Sequence, residues 1–366
     1  MFGETRLVDV VLALAIAAGI GALILIASGH DPAQALAVLV SGAFGSRPRI
    51  GETLLNSVPL MFTGFAVALS FRGGLFNIGG EGQLLVGAIV TAWLAEMLPF
   101  GPLLLVPTLI VAGGVAGAAW GAVPGIMKAT ADANEIITTL MMSYIAFFLV
   151  EYLVVGPLKA PGVLPATPLL SERVRLPRIG DVVPGLDFGR LHIGLLVGVA
   201  VGAILTYVIR RTPFGFGLQA LGRSQSAALY AGVSKPRMVA AVLTVSGALA
   251  GIGGAVQVLG VNFRVSSSFS PGFGFTGIAV ALLGNSSPVG VIFAAVLFGA
   301  LQTGGQVMQR TADTPASIVV IVQGLIVALI AVRVRRNGKP SVWDLTVSSV
   351  KRQADRVRGR TQASAK

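Results

Sequence analysis

The chain has 366 residues, 54% of them hydrophobic and 11% charged, less than half the charged share of roughly 25% in ordinary globular proteins. A water-soluble globule is thereby excluded. The lack of cysteine excludes disulfides, thiolate metal sites and cysteine nucleophiles, and two histidines, His30 and His192, leave little for a zinc site or a Ser/His/Asp triad.

A helix needs about 20 apolar residues to cross the hydrocarbon core, because it rises about 1.5 Å per residue. Charge-free stretches fall at residues 10–29, 53–71, 82–95, 97–127, 136–150, 191–209, 238–263, 265–309 and 314–332. The first is longer than the core of a secretory signal and follows only Arg6 as a basic start, so it is expected to be retained. The stretch 97–127 is read as one helix, since Pro99, Gly101 and Pro102 mark a turn at its start. The stretch 265–309 must hold two, broken at Gly284–Asn285–Ser286–Ser287–Pro288. The expected fold is all-α, a polytopic membrane bundle of about ten transmembrane helices.

The net charge of +12 could suggest nucleic acid until it is located along the chain. Residues 333–366 hold ten Lys/Arg against Asp344 and Asp355, which is +8 of the total. Basic flanks prefer the cytoplasm, so the tail is placed inside, and an even number of spans puts the N-terminus there too. Two domains follow: a transmembrane domain over 1–333, and a basic cytoplasmic tail over 334–366 whose polar end is expected to be disordered. The Pro-rich loop 159–190 then faces outward and the basic loop 210–237 faces inward. Such a charge pattern anchors a membrane face and does not favour nucleic acid.

Gly113, Gly117, Gly121 and Gly125 fall four apart, as do Gly194, Gly198 and Gly202, and Gly247 with Gly251. Each set lies on one helix face, where a missing side chain lets another backbone approach. Close packing within one bundle is the simpler reading; a dimer face or a moving interface is the other.

The most unusual segment is 71–83, FRGGLFNIGGEGQ. Four glycines with Asn77, Glu81 and Gln83 interrupt apolar sequence, and irregular backbone at membrane depth survives only buried in protein or beside a wet cavity. It reads as a broken helix. Glu81 is either a functional intramembrane carboxyl or a cap on the helix that follows. Asn134–Glu135 opens the next polar-started span, where capping is the simpler role. Behind it Thr138, Thr139, Met142 and Ser143 recur at near-helical spacing and could line a polar face. Glu96 and Glu151 sit near span ends and read as interfacial.

In the inward loop, residues 215–233 read GFGLQALGRSQSAALYAGV, a short amphipathic helix candidate with Ala227–Ala228 followed by Gly232. This segment resembles the coupling segment of permeases of ATP-binding-cassette importers, whose pattern is Glu-Ala-Ala, three residues, then Gly. Ser226 stands where the Glu would be, so Ala227, Ala228 and Gly232 carry the match. FNIGGEGQLLVGA, NEIITTLMMSYI and the stretch 212–255 resemble the branched-chain amino acid and simple-sugar permease superfamily, most of all its nucleoside or simple-sugar branch. The resemblance covers roughly residues 54–324.

That resemblance implies a translocating subunit without catalytic chemistry, working with an extracytoplasmic binding protein, a second permease in a heterodimer, and ATPase subunits. No G-x-x-x-x-G-K-[ST] phosphate loop occurs in the sequence, so no cofactor is expected in this chain and ATP would be bound by a partner. Arg223, Ala227, Ala228 and Gly232 would dock the ATPase. Phe76, Asn77, Glu81, Gln83 and Asn262 are the candidates to line the path of a nucleoside or simple sugar, which needs hydrogen-bond partners and an apolar wall. The alternative is an ion-coupled secondary transporter, whose broken helices look alike, although Glu81 is the one plausible deep carboxyl.

Overall fold

The computed structural model describes residues 7–183 and 185–311, together with residues 321 and 324. Thirteen α-helices follow in order: α1 (Leu7–Ala27), α2 (Pro32–Phe44), α3 (Arg47–Arg72), α4 (Gly80–Met97), α5 (Pro102–Ala131), α6 (Glu135–Val155), α7 (Ile179–Val182), α8 (Gly194–Arg211), α9 (Pro213–Arg223), α10 (Gln225–Tyr230), α11 (Lys235–Gln257), α12 (Phe273–Leu283) and α13 (Pro288–Thr311). Among the described residues the chain forms no strand, only isolated bridges at Ala166–Ser266 and Arg178–His192.

Helix starts follow local chemistry. The Asp31 side chain accepts from the Ala33 amide at 2.8 Å, and Pro32 occupies the first turn, where its missing donor is harmless. Asn134 caps α6 by accepting from Ile136 at 3.0 Å, and Thr212 caps α9 by accepting from Gly215 at 3.2 Å.

The expectation of about ten full spans is not met among the described residues. Six helices are long and apolar enough to cross a membrane: α3, α5, α6, α8, α11 with its π-turn to Asn262, and α13. The stretch 265–309 holds one full helix, α13, and one short one, the 11-residue α12. Residues 263–272 are not helical, and Phe263, with a left-handed backbone, caps the π-turn. Ser266, Ser267, Ser268 and Ser270 with Pro271 and Gly272 interrupt the helix there without interrupting a charge-free run. The 82–95 stretch becomes α4, an 18-residue helix that carries Glu81 and Gln83 in its first turn. A further short apolar helix, α2, lies between the first and second expected spans. Apart from residues 321 and 324, the expected span 314–332 lies outside the described residues, as does the tail 334–366.

Helix α3 is the axis of the bundle, with every residue from Val58 to Phe71 buried. The four-spaced glycines serve packing within the chain. A Cβ at Gly117 would overlap the Gly247 carbonyl, and one at Gly251 would overlap the Gly113 carbonyl, so α5 and α11 meet backbone to backbone. On α8, Gly198 faces Met61 and Phe62, and Gly202 faces Phe65.

The bundle has two distinct ends. At one lie the end of α3, α9, α10 and the start of α11. At the other, the loop after α6 lies along residues 259–265 as an extended strap: Thr167 donates to Val265 at 2.9 Å, Leu170 to Phe263 at 2.8 Å and Leu176 to Leu259 at 2.9 Å.

Candidate functional site

Between α3 and α4 the chain runs non-helically from Gly73 to Gly79, as the glycines and Asn77 foretell. A bare backbone at this depth needs partners, and the structure supplies them from side chains. Asn77 is fully buried. Its amide donates to Ser246 Oγ at 2.7 Å and to Gln83 Oε1 at 3.0 Å, while its Oδ1 accepts from the Gly79 amide at 2.8 Å. Ser246, on α11, passes its own proton to the Ala66 carbonyl of α3 at 2.6 Å. From α6, Thr139 Oγ1 accepts from the Ile78 amide at 3.1 Å and Ser143 Oγ from the Gly82 amide at 3.4 Å. The polar residues of α6 therefore hold the broken segment.

Helix α4 starts at Gly80 against the start of α12. A Cβ at Gly274 would overlap the Glu81 backbone, and Gly80 lies next to Gly274. Glu81 is 8% exposed. Its Oε2 accepts from the Gly274 amide at 2.6 Å, and Ser270 and Gly272 also hydrogen-bond its carboxyl. One acidic side chain thus sits in the first turn of α4 and caps the N-terminus of α12. Both helix ends carry partial positive charge, so an acidic group between them is favourable. Thr63 Oγ1 of α3 donates to the Phe273 carbonyl at 3.0 Å. Thr63 lies nine residues before Arg72, the end of α3, hence about 14 Å inside it. The junction thus lies inside the bundle, about half the thickness of a hydrocarbon core of about 30 Å away from the α9 end. From there α12 reaches only to the α9 end; it is a half-span.

Phe76, Asn77, Glu81 and Gln83 are brought together here, with Phe76 half-buried and edge-on to Phe71 at 5.2 Å. Asn262 is not part of the group. It lies in the π-turn that ends α11, where it accepts from Gln257 Nε2 at 2.9 Å. Sixteen residues separate it from Ser246, about 24 Å along a helix. Residues that complete the site and that spacing did not single out are Ser246, Thr63, Ser270 and Gly274. Ser246, Thr63 and Gly274 are small residues inside apolar runs with no local signal, and Ser270 stands in a Ser/Pro/Gly turn that does not point to a partner.

At the α9 end, Arg223 closes α9 and is exposed. Ala227 and Ala228 lie in α10, with Ala228 buried, and Gly232 adopts φ +76 in open space. Beside them Leu229 and Tyr230 are 67% and 94% exposed. A cleft of about 450 Å³ opens between this loop and the broken segment, lined by Gly74, Lys128, Glu135, Arg223, Gln225 and Lys235 among others. Lys128 bridges Asp132 at 2.9 Å and Glu135 at 3.2 Å, joining the end of α5 to the start of α6. The Lys128 ammonium holds the exposed Asp132 carboxyl below its ordinary range.

No solved structure shows significant similarity to the chain. Among curated proteins it is 37% identical to the glucose ABC transporter permease protein TsgB13 of Haloferax volcanii, over 87% of this chain and 85% of that one. It is 36% identical to the guanosine permease protein NupP of Bacillus subtilis, over 89% and 92%. It is 38% identical to the nucleoside permease protein NupB of Lactococcus lactis, over 91% and 93%. The family model for the permease component of branched-chain amino acid transport systems matches residues 49–331. These residues contain the α3–α13 bundle but for the first two residues of α3, with its broken segment, half-span and α9–α10 loop. This multi-pass membrane chain, no enzyme, belongs to the family of those permease components.

Proposed function

We propose that the chain is the permease subunit of an ATP-binding-cassette importer that carries a nucleoside into the cytoplasm, with a simple sugar as the second choice of cargo. Support comes from the near full-length similarity to permease proteins named for guanosine, nucleosides and glucose. Two of the three names point to nucleosides. Both cargo classes are neutral and polar, and suit an apolar passage with few polar contacts.

In this reading a second permease pairs with the chain as a heterodimer and an extracytoplasmic protein delivers the solute. ATP is bound and hydrolysed on a partner subunit. Both termini and the α9–α10 loop face the cytoplasm, and the strap faces outward. Arg223, Ala227, Ala228 and Gly232 form the coupling surface, where exposed Leu229 and Tyr230 offer the apolar anchors an ATPase groove would take up. Phe76, Asn77, Glu81 and Gln83 bound the pathway at mid-depth, and Asn262 stands near its outer end. Asn77 and Gln83 direct polar atoms to each other, so they shape the passage as much as they touch cargo.

The test is uptake of labelled guanosine and glucose by cells expressing the complete operon. ATP is depleted while the proton gradient is kept, and then the reverse. Uptake lost with ATP and kept without the gradient supports the proposal; uptake that follows the gradient overturns it in favour of an ion-coupled transporter.

A further inference from the structure

Around Arg72 three separate segments meet. A Cβ at Gly222, on the last turn of α9, would overlap the Arg72 carbonyl, and it would also press on Gly73. Gly74 has φ +71 and faces the Gly222 Cα. The α9 helix therefore lies backbone to backbone on the turn that ends α3, and no side chain cushions the contact. Leu218 and Leu221, both buried, hold it there, and Leu218 reaches Gly73. On its other side the Arg72 guanidinium donates from Nε to the Ser286 carbonyl at 2.6 Å. Ser286 and Asn285 both have left-handed backbones, φ 51 and 52, in the turn between α12 and α13.

From this turn two paths lead into the bundle. One is the segment 73–79, which ends at Asn77 and the start of α4. The other is α12, about 16 Å long, which runs back from the 284–286 turn to Gly274. Both end at Glu81. A displacement of α9 is thus delivered by rigid contacts to both half-helix starts at once, and a packed backbone junction transmits such a displacement without absorbing it.

We infer that Gly222 and Arg72 form the relay that carries motion of the α9–α10 loop to both broken-helix starts, Gly222 as the backbone bearing and Arg72 as the arm to the 284–286 turn. The inference rests on the proposed importer function, and it makes both positioning residues, in touch with neither ATP nor cargo. Each half of the relay has its own variant. Gly222→Ala forces α9 off the Arg72 carbonyl. Arg72→Gln leaves that bearing intact and removes the guanidinium contact to Ser286; Arg72→Lys keeps a donor and serves as the conservative rescue.

The experiment uses the full importer reconstituted in liposomes with its binding protein, and reads guanosine and glucose taken up per ATP hydrolysed. Gly222→Ala and Arg72→Gln are expected to lower that ratio by about tenfold, towards the lower end of the usual range for coupling between sites, while ATP hydrolysis continues. Arg72→Lys should recover part of it. A ratio within about twofold of wild type in both disruptive variants overturns the relay. If Gly222→Ala does not assemble, Arg72→Gln decides alone. Failure of the wild-type complex to take up either solute with ATP would instead overturn the importer reading, so the two failures are distinguishable.

Discussion

Replacing Glu81 by alanine removes the acceptor that caps α12 from across the bundle. The Gly274 amide, held at 2.6 Å in a buried site, would be left without a partner in an environment that offers little water. An unmade hydrogen bond of that kind costs about 1–3 kcal/mol. Losing an acidic group beside two helix N-termini adds roughly 0.3–2 kcal/mol. Together these give about 3 kcal/mol for Glu81→Ala. Glu81→Gln keeps an oxygen within reach of the Gly274 amide and should cost about 1 kcal/mol. The assay is denaturant-induced unfolding of the purified chain in detergent, followed by the fluorescence of its three tryptophans, with solute uptake measured in parallel. The order of stability should be wild type, then Gln, then Ala. Equal losses in the two variants, or an Ala variant within about 0.5 kcal/mol of wild type, would refute the capping account of the junction.

Gly251→Ala should destabilise by about 3 kcal/mol, because its Cβ has only the Gly113 and Gly117 backbone to displace; Gly101→Ala, in open space, should stay within about 0.5 kcal/mol in the same unfolding assay. Just before α8, burial pushes the His192 imidazole down to about 4 from its usual 6.5. The unfolded chain binds the extra proton between those values, so stability should be full above 6.5 and fall as pH drops from 6.5 towards 4, a slope that His192→Phe should flatten. Leu229→Asp with Tyr230→Asp should abolish co-purification of the ATPase while leaving unfolding unchanged, since both side chains are mostly exposed; intact co-purification would place the docking surface elsewhere.

The break at Gly73–Gly79 was legible because glycine clusters and Asn77 are local features, and a membrane leaves such backbone few explanations. The glycine spacing likewise announced a close helix face, although not that Gly117 and Gly121 would meet Gly247 across α5 and α11. Glu81 was legible as either a cap on the helix that follows or a functional intramembrane carboxyl; the structure buries it in the first turn of α4 and sets its carboxylate on the Gly274 amide of α12, 193 positions away. The half-span was misjudged because serine, proline and glycine stop a helix without adding charge, so a count of charge-free residues passes over them.

Composition by itself determined that this chain lives in lipid, and the local runs determined most of the helices, because hydropathy, turn residues and caps act over a few neighbours. The concentration of +8 of the net charge in the last 34 residues was equally plain without a structure. Tertiary structure alone decided which broken ends meet. Ser246, Thr63, Gly274 and Ser286 acquire their roles from partners 169, 210, 193 and 214 positions distant. In a medium that cannot satisfy a bare amide or carbonyl, those distant side chains take the place of water, and nothing in their own neighbourhoods reveals it.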